Sequence, residues 1–369
     1  MQSGTTSFSI LRTGESIQRS APALRHLAVK YGQVPDLTRF PEYFMCGLNT
    51  RSRPSVVVCT EKGSIVGAVY GEELLIMGAP SGWVFVGDEM GRGAVVCDPE
   101  REAEILHESC KHLLANGVHA VRLRWSPSTN SPLATPRTAA EDMVMTEAIR
   151  FRPMGDWLRL PKSYDDLLSG FGPHTRRNLR YYRRKAENNG IAHVSALSQG
   201  EYEKAVKGLR QSAAFPHTSE RDQRDRRFLA LAGEPILMGL QRCGRNYVSV
   251  LCAIQFGSNI HVLSQINDRI LRHLSISLVL RSYLLEESIR RGCSGIHFLN
   301  GTSPMLGRYC NPVILHVISV DKRKSLSHPI KAAAGSLATR EQINAHVPMR
   351  LRALLGQNFF GSWTFDEPV

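Results

Sequence analysis

Between Gly172 and Gly190 the chain reads GPHTRRNLRYYRRKAENNG, six cations against one acid. Arginine presents a planar fork of donors that fits the oxygens of phosphate and carboxylate groups. With about 100° of rotation per residue from Pro173, Leu179, Tyr182 and Ala186 form one narrow apolar stripe. Arg176, Arg177, Arg180, Arg183 and Arg184 fan over the adjoining arc. Pro173 at the first turn and Asn189-Gly190 at the exit frame an amphipathic helix over 173–187. Three roles fit its basic face: solvated surface, a seat for an anionic substrate or carrier, or a nucleic-acid contact in which Tyr181 and Tyr182 stack on bases. No nucleic-acid motif accompanies the tyrosines.

The eight cysteines suggest no further chemistry. Most lie in apolar runs (VVVCT, AVVCD, VLCAI), where a thiol acts as a small hydrophobe. There is no CxxC pair and no Cys/His cluster, so no metal site is expected, and reduced thiols point to a cytoplasmic setting. The N-terminus, MQSGTTSFSILRTGESI, lacks a charged region followed by a long apolar core, and apolar stretches reach only about ten residues, too short to span a bilayer. Membrane insertion is not expected. A chain of 369 residues with 42% apolar content suits two packed domains. A net charge of +13 fits a partner that carries phosphate.

The elements that would position these groups follow one order twice. PSVVVCT and SIVGAVYG flank the turn Glu61-Lys62-Gly63 as a β-hairpin. WVFVG, the glycine-bearing DEMGRG and the short strand AVVC follow. A helix then opens with Asp98 as cap and Pro99 in its first turn. It carries Ala103, Leu106, Cys110, Leu113 and Leu114 at helical period and leads, after Asn116-Gly117, into the strand VHAVRLRW. In the second half NYVSVLCAIQFG and SNIHVLSQIND make a hairpin. A helix with Ile276, Val279, Leu280, Tyr283 and Leu284 follows, Arg291-Gly292 ends it, and SGIHFLN is the next strand. The two helix exits, at Gly117 and Gly292, point to a duplicated domain.

Antiparallel hairpins feeding a strand, a helix and another strand resemble the GNAT superfamily of N-acyltransferases. SYDDLLSGFGPHTRRNLRYYRRKAENNG resembles the segment that opens the second half of tandem-GNAT proteins, the cellulose-biosynthesis-type acetyltransferases and the related Fem-type peptidoglycan-bridge aminoacyltransferases. GRGAVVCDPEREAEIL is similar to their G-x-L-V-x-D-P-E helix start. IHFLNGTSPMLGRYC is similar to their late motif, an acidic residue followed by F-L-x-G-x-x-P-Y-K-x-R-W. Phe298, Leu299, Gly301, Pro304 and Arg308 stand in register with that motif, and Tyr309 holds its aromatic position. The acidic position is His297 here, and the Tyr-Lys pair is Met305-Leu306.

The resemblance implies an α+β fold of two GNAT-like domains with mixed, mostly antiparallel sheets flanked by helices. The expected division is a flexible 1–20, an N-terminal domain 21–160, a C-terminal domain 161–320 and a peripheral 321–369. It further implies acyl-CoA as co-substrate, with the pyrophosphate at the helix start around Leu274, Ser275, Ile276 and Ser277, where free N–H groups and the helix dipole favour an anion. Asp88 stands where that superfamily's loop carries Gln or Arg, so Gly91-Arg92-Gly93 reads as a structural turn. His297 and Asp268 are candidate bases and Tyr309 a candidate acid. Glu286, four residues before Arg290, reads as half of a surface ion pair. Arg176, Arg180, Arg183, Asn300 and Arg308 are candidate substrate contacts. The implied activity is transfer of an acyl group, acetyl in the first instance, to an amine on a small molecule, a nucleotide-sugar or a cell-envelope precursor, as in polysaccharide biosynthesis. Two alternatives stay open: a Fem-like ligase using aminoacyl-tRNA, and a catalytically silent tandem-GNAT scaffold.

Overall fold

The computed structural model describes residues 6–32, 36–48, 50–88, 91–127, 143–152, 155–210, 212, 219–231, 235–243, 246–299 and 301–322. They fall into two compact units. The first holds the described residues within Met1–Gly32, Thr38–Arg150 and Ile314–Val369; the second those within Gln33–Leu37 and Phe151–Val313.

The first unit begins with β1 (Thr6–Leu11) and α1 (Gly14–Tyr31). The segment expected to be flexible over 1–20 is therefore ordered from Thr6. Thr13 and Ser16 close a capping box on α1, and the helix tolerates Pro22 because Ile17, Leu24 and Leu27 are buried on one side. Next come α2 (Pro41–Gly47), β2 (Ser52–Pro54), β3 (Val56–Glu61) and β4 (Ser64–Val69). β5 (Gly71–Ile76), β6 (Ala79–Val86) and β7 (Val95–Cys97) lead to α3 (Glu102–Ala115), β8 (Ala120–Trp125) and β9 (Met143–Arg152).

Two sheets result. One has the order β1-β3-β4-β7. Strand alternation sends Val56 and Val58 towards α1 and Val57 towards α3, so both faces are covered. In the other sheet β6 and β8 run parallel, joined through α3.

The second unit is one six-stranded sheet, β10 (Trp157–Arg159), β15 (Gly295–Phe298), β14 (Asn259–Asn267), β13 (Asn246–Phe256), β12 (Ile236–Arg242) and β11 (Ile191–Val194), in that spatial order. Its helices are α4 (Tyr164–Gly170), α5 (Pro173–Asn188), α6 (Gln199–Leu209), α7 (Ser219–Leu231), α8 (Ile276–Arg290) and the single turn α9 (Pro304–Gly307). Leu251 and Ala253 of β13 share a core with Leu179 of α5 and Leu280 and Leu284 of α8. On the opposite face Tyr202 of α6 shares a hydrogen bond with Ser264 of β14 at 2.9 Å.

The last described strand, β16 (Val313–Lys322), corrects the expected division. The sequence reading assigns residues up to 320 to the C-terminal domain, but this strand pairs with β8 over His316–Asp321 and completes the order β2-β5-β6-β8-β16-β9 in the first unit. The units divide near Arg150 rather than 160. Among the described residues no helix is long and apolar enough to cross a membrane.

A candidate acyl-transfer cleft between β14 and β15

β13 and β14 form a hairpin whose turn residue Gly257 has a positive φ of 57°. Their register shifts at one point: Cys252 pairs with Ser264 and Ala253 with Val262, so Leu263 is an extra residue on β14. Such a bulge bends a strand and increases its twist. On its other side β14 runs parallel to β15, from Asn259↔Gly295 to Val262↔Phe298. There the pairing stops, at the bulge. β14 continues to Asn267 alongside β13, while the chain after Phe298 turns away through Gly301, whose φ is 77°.

The helix that joins these two strands begins beside the gap. After β14, Asp268 caps a 3-10 turn over Arg269–Leu274 through the Ile270 N–H at 2.9 Å. Ser275 follows in the left-handed region, φ 49° and ψ 41°, a conformation uncommon for a residue with a side chain. The first α-type bond of α8 is Val279 N–H to Ser275 O at 3.0 Å. The Ile276, Ser277 and Leu278 amides thus precede it, at the positive end of a 15-residue helix. Ser275 makes no side-chain cap bond, Ser277 Oγ lies 3.4 Å from Gln265 Oε1, and the Leu274 and Ile276 side chains are buried. Only the backbone of that pair can face a ligand.

His297 lies on β15, between β10 and β14. All four residues of β15 are buried, so alternation does not lift it to a surface. Its ring stacks on His261, with centroids 4.6 Å apart and planes at 12°. His261 Nε2 accepts the Leu37 N–H at 3.2 Å and lies 3.8 Å from Asp36. Asp268 is engaged as a cap. Tyr309 Oη accepts the Gly172 N–H at 2.8 Å and reaches Thr175 Oγ1 at 3.2 Å. The Thr175 contact, then the Gly172 amide, hold the phenol below its ordinary range. Arg308 is exposed, with Nε on Pro304 O. Asn300 lies outside the described residues. Met305 and Leu306, at the Tyr-Lys positions of the late motif, pack on the core, and Leu306 is fully buried.

α5 has the stripe read from its sequence: Leu179 and Ala186 are buried and Tyr182 half-buried, with Thr175 added. Its arginines divide. Arg177, Arg180 and Arg184 are exposed and Arg176 is half-buried. Arg183 is instead a docking residue. Its Nε donates to Ser282 Oγ at 2.7 Å, Nη1 to Glu286 at 2.9 Å, and its guanidinium carbon lies 4.1 Å from the Tyr283 ring centroid. Glu286 therefore pairs across to α5 and not with Arg290, which pairs with Glu287.

Sequence reasoning missed the polar set at the gap: Gln265, Arg281 and Thr302. Arg281 Nε donates to Gln265 Oε1 at 2.8 Å and Nη1 to Thr302 Oγ1 at 2.7 Å. The available signal was a lone cation inside the otherwise uncharged, mostly apolar run ISLVLRSYLL. In the first unit, Arg92 closes the Gly91–Gly93 turn on Asp88 at 2.7 Å, consistent with a structural loop. Among the described residues no three His, Cys, Asp or Glu side chains gather as a metal site.

Comparison with known proteins agrees with this architecture. Residues 173–305 match the family model described as Acetyltransferase (GNAT) domain. No curated protein matches the sequence significantly. Among solved structures, FemX superposes with a TM-score of 0.52 at 10% identity, covering 84% of this chain and 96% of that one. A tandem GNAT protein from the clavulanic acid biosynthesis pathway gives 0.50 at 12%, covering 87% and 99%. L-PGS from Bacillus licheniformis gives 0.50 at 10%, covering 84% and 93%. At these identities the likeness is one of fold. The parted parallel strands, the helix that joins them and the matched segment together make residues 173–305 a GNAT-type acyltransferase domain, in a chain whose fold is the GNAT fold.

Proposed function

We propose that the second unit transfers an acyl group, acetyl in the first instance, from acyl-CoA to an amine. The observation that carries this reading is the release of β15 from β14 at the Leu263 bulge, directly beside the start of α8. A donor lying there can set its pyrophosphate against the Ile276, Ser277 and Leu278 amides. The amine nitrogen attacks the thioester carbonyl, the C–S bond breaks, the nitrogen loses a proton and the thiolate takes one up. No enzyme nucleophile is needed when both substrates are bound, and positioning supplies much of the rate. Tyr309, with its lowered phenol, is the group we assign to the leaving thiolate; His297, buried in the strand, acts on the cleft through its packing. A nucleotide-sugar or cell-envelope acceptor, and a cytoplasmic location, belong to this reading.

A second reading has a specific observation behind it. Tyr181 is 52% exposed on the same helix as exposed Arg177, Arg180 and Arg184, a combination of stacking ring and cations that suits an aminoacyl-tRNA donor. Thermal unfolding with acetyl-CoA, CoA or tRNA separates the two. Acetyl-CoA and CoA raise Tm while tRNA leaves it unchanged, and mass spectrometry detects acylated amine from a panel of amines. Stabilisation by tRNA alone moves the reading to the Fem-like ligase. No effect of either ligand and no product would leave a silent scaffold.

A further inference from the structure

Arg281 projects from the second turn of α8 and is half-buried. Besides Gln265 and Thr302 it reaches Gly301 O through Nη2 at 3.4 Å, and its guanidinium carbon lies 5.3 Å from the Phe298 ring centroid. Gln265 lies on β14 just past Val262, and Gly301 and Thr302 lie just past Phe298. Val262 and Phe298 are the last paired residues. The guanidinium therefore spans the mouth of the gap between the two strands.

All of these contacts are neutral. Among the described residues no carboxylate reaches Arg281, and the ionisable neighbour that acts on it is the Cys310 thiol, itself pushed up to about 12 by burial and so uncharged. Burial lowers Arg281 to about 10, which leaves it protonated at neutral pH. Four other arginines that are not fully exposed each lie on a carboxylate: Arg53 on Glu73, Arg92 on Asp88, Arg122 on Asp321 and Arg183 on Glu286. A charge partly withdrawn from water without a carboxylate beside it is unfavourable, so the guanidinium favours an anionic ligand. A guanidinium has five N–H donors. The three contacts use three, and two are left for a ligand.

We propose that Arg281 receives a carboxylate of the acceptor, so that the amine acylated here belongs to a molecule that also carries a carboxylate, as an amino acid or an amino acid conjugate does. One cation among neutral donors and acceptors balances a single negative charge; a phosphate dianion would need a second cation at the same spot. This assignment rests on the acyl-transfer reading of the same cleft.

The test uses hippurate, an amino acid conjugate with one carboxylate, as a probe on the full chain, with and without saturating CoA, at constant ionic strength against chloride. Hippurate raises Tm in the wild type and the Arg281→Gln variant loses the response, with its midpoint moved at least tenfold. Arg281→Lys keeps part of it. The triple variant Arg177→Gln, Arg180→Gln, Arg184→Gln responds as the wild type does. An equal response in Arg281→Gln, or none in the wild type, overturns the proposal. If Arg281→Gln does not fold, crystals of the wild type soaked in 4-bromohippurate decide. A carboxylate beside the guanidinium, with the bromine marking the ligand, supports the assignment, and bromine elsewhere or nowhere defeats it. Failure of CoA to bind the wild type counts against acyl transfer alone, since the hippurate response without CoA still scores Arg281.

Discussion

The His193 ring lies flat against Tyr283, with centroids 3.9 Å apart and planes within 2° of parallel. Burial first, and the Arg183 charge second, pull His193 down to about 4, against smaller upward effects of Glu286 and Glu287. The folded state thus resists a proton that the unfolded chain accepts at its ordinary pKa of about 6.5. Stability holds above that pH, falls as pH drops from about 6.5 towards 4, and levels off below. With solvent screening the loss is on the order of 1 kcal/mol. Urea unfolding of His193→Phe against the wild type at pH 7.5 and 4.5 checks it: the variant shows a smaller decline.

Arg183 holds α5 to α8 through Ser282, Glu286 and the Tyr283 ring. Arg183→Gln removes the ion pair and the stacking, and should cost about 1–3 kcal/mol in equilibrium unfolding. Arg180→Gln and Arg184→Gln on the exposed face of the same helix should stay within about 0.5 kcal/mol. Equal losses across the three would contradict the division of the arginines.

Glu73 is the counterpart in the first unit. Buried at 2% exposure, it accepts from Arg12 at 3.0 Å, from Arg53 at 2.7 and 2.8 Å and from the Gly82 N–H at 3.0 Å. Glu73→Gln leaves two cations at a part-buried site and is expected to cost about 3 kcal/mol. A calorimetric scan showing an unchanged Tm would refute this.

Tyr309→Phe separates proton transfer from packing. If the phenol serves the leaving thiolate, kcat falls about 100-fold with little change in KM. Thr175→Ala, which removes a hydroxyl partner but leaves the phenol, lowers Tm by a few degrees and moves kcat far less. Matching kcat losses in the two variants would show that Tyr309 only anchors the start of α5.

Much of this architecture is legible in the residues. Helical period over Ile276–Leu284 and strand signals around Gly257 place β13, β14, α8 and β15 in order, because hairpins and helices are set by local pattern. Leu179 and Ala186 reveal the docked side of α5 for the same reason. α1 is hidden by Pro22, whose local cost is offset by buried side chains that only the fold brings together. Arg183 looks like its neighbours because its partners Ser282 and Glu286 lie about a hundred residues on. Alternation along β15 leaves the exposure of the candidate base His297 open, and only the fold shows that both faces of the strand are covered.

The return of β16 to the first unit sets an order of assembly on the ribosome. In that sheet β16 stands between β8 and β9, so β9 has no seat until residues 313–322 have left the exit tunnel. By then every strand of the second unit, β10 to β15, has already been translated. Synthesis runs from the N-terminus, yet it is the later-made unit whose sheet can close first, while the earlier one waits with a gap beside β8 for the end of the chain.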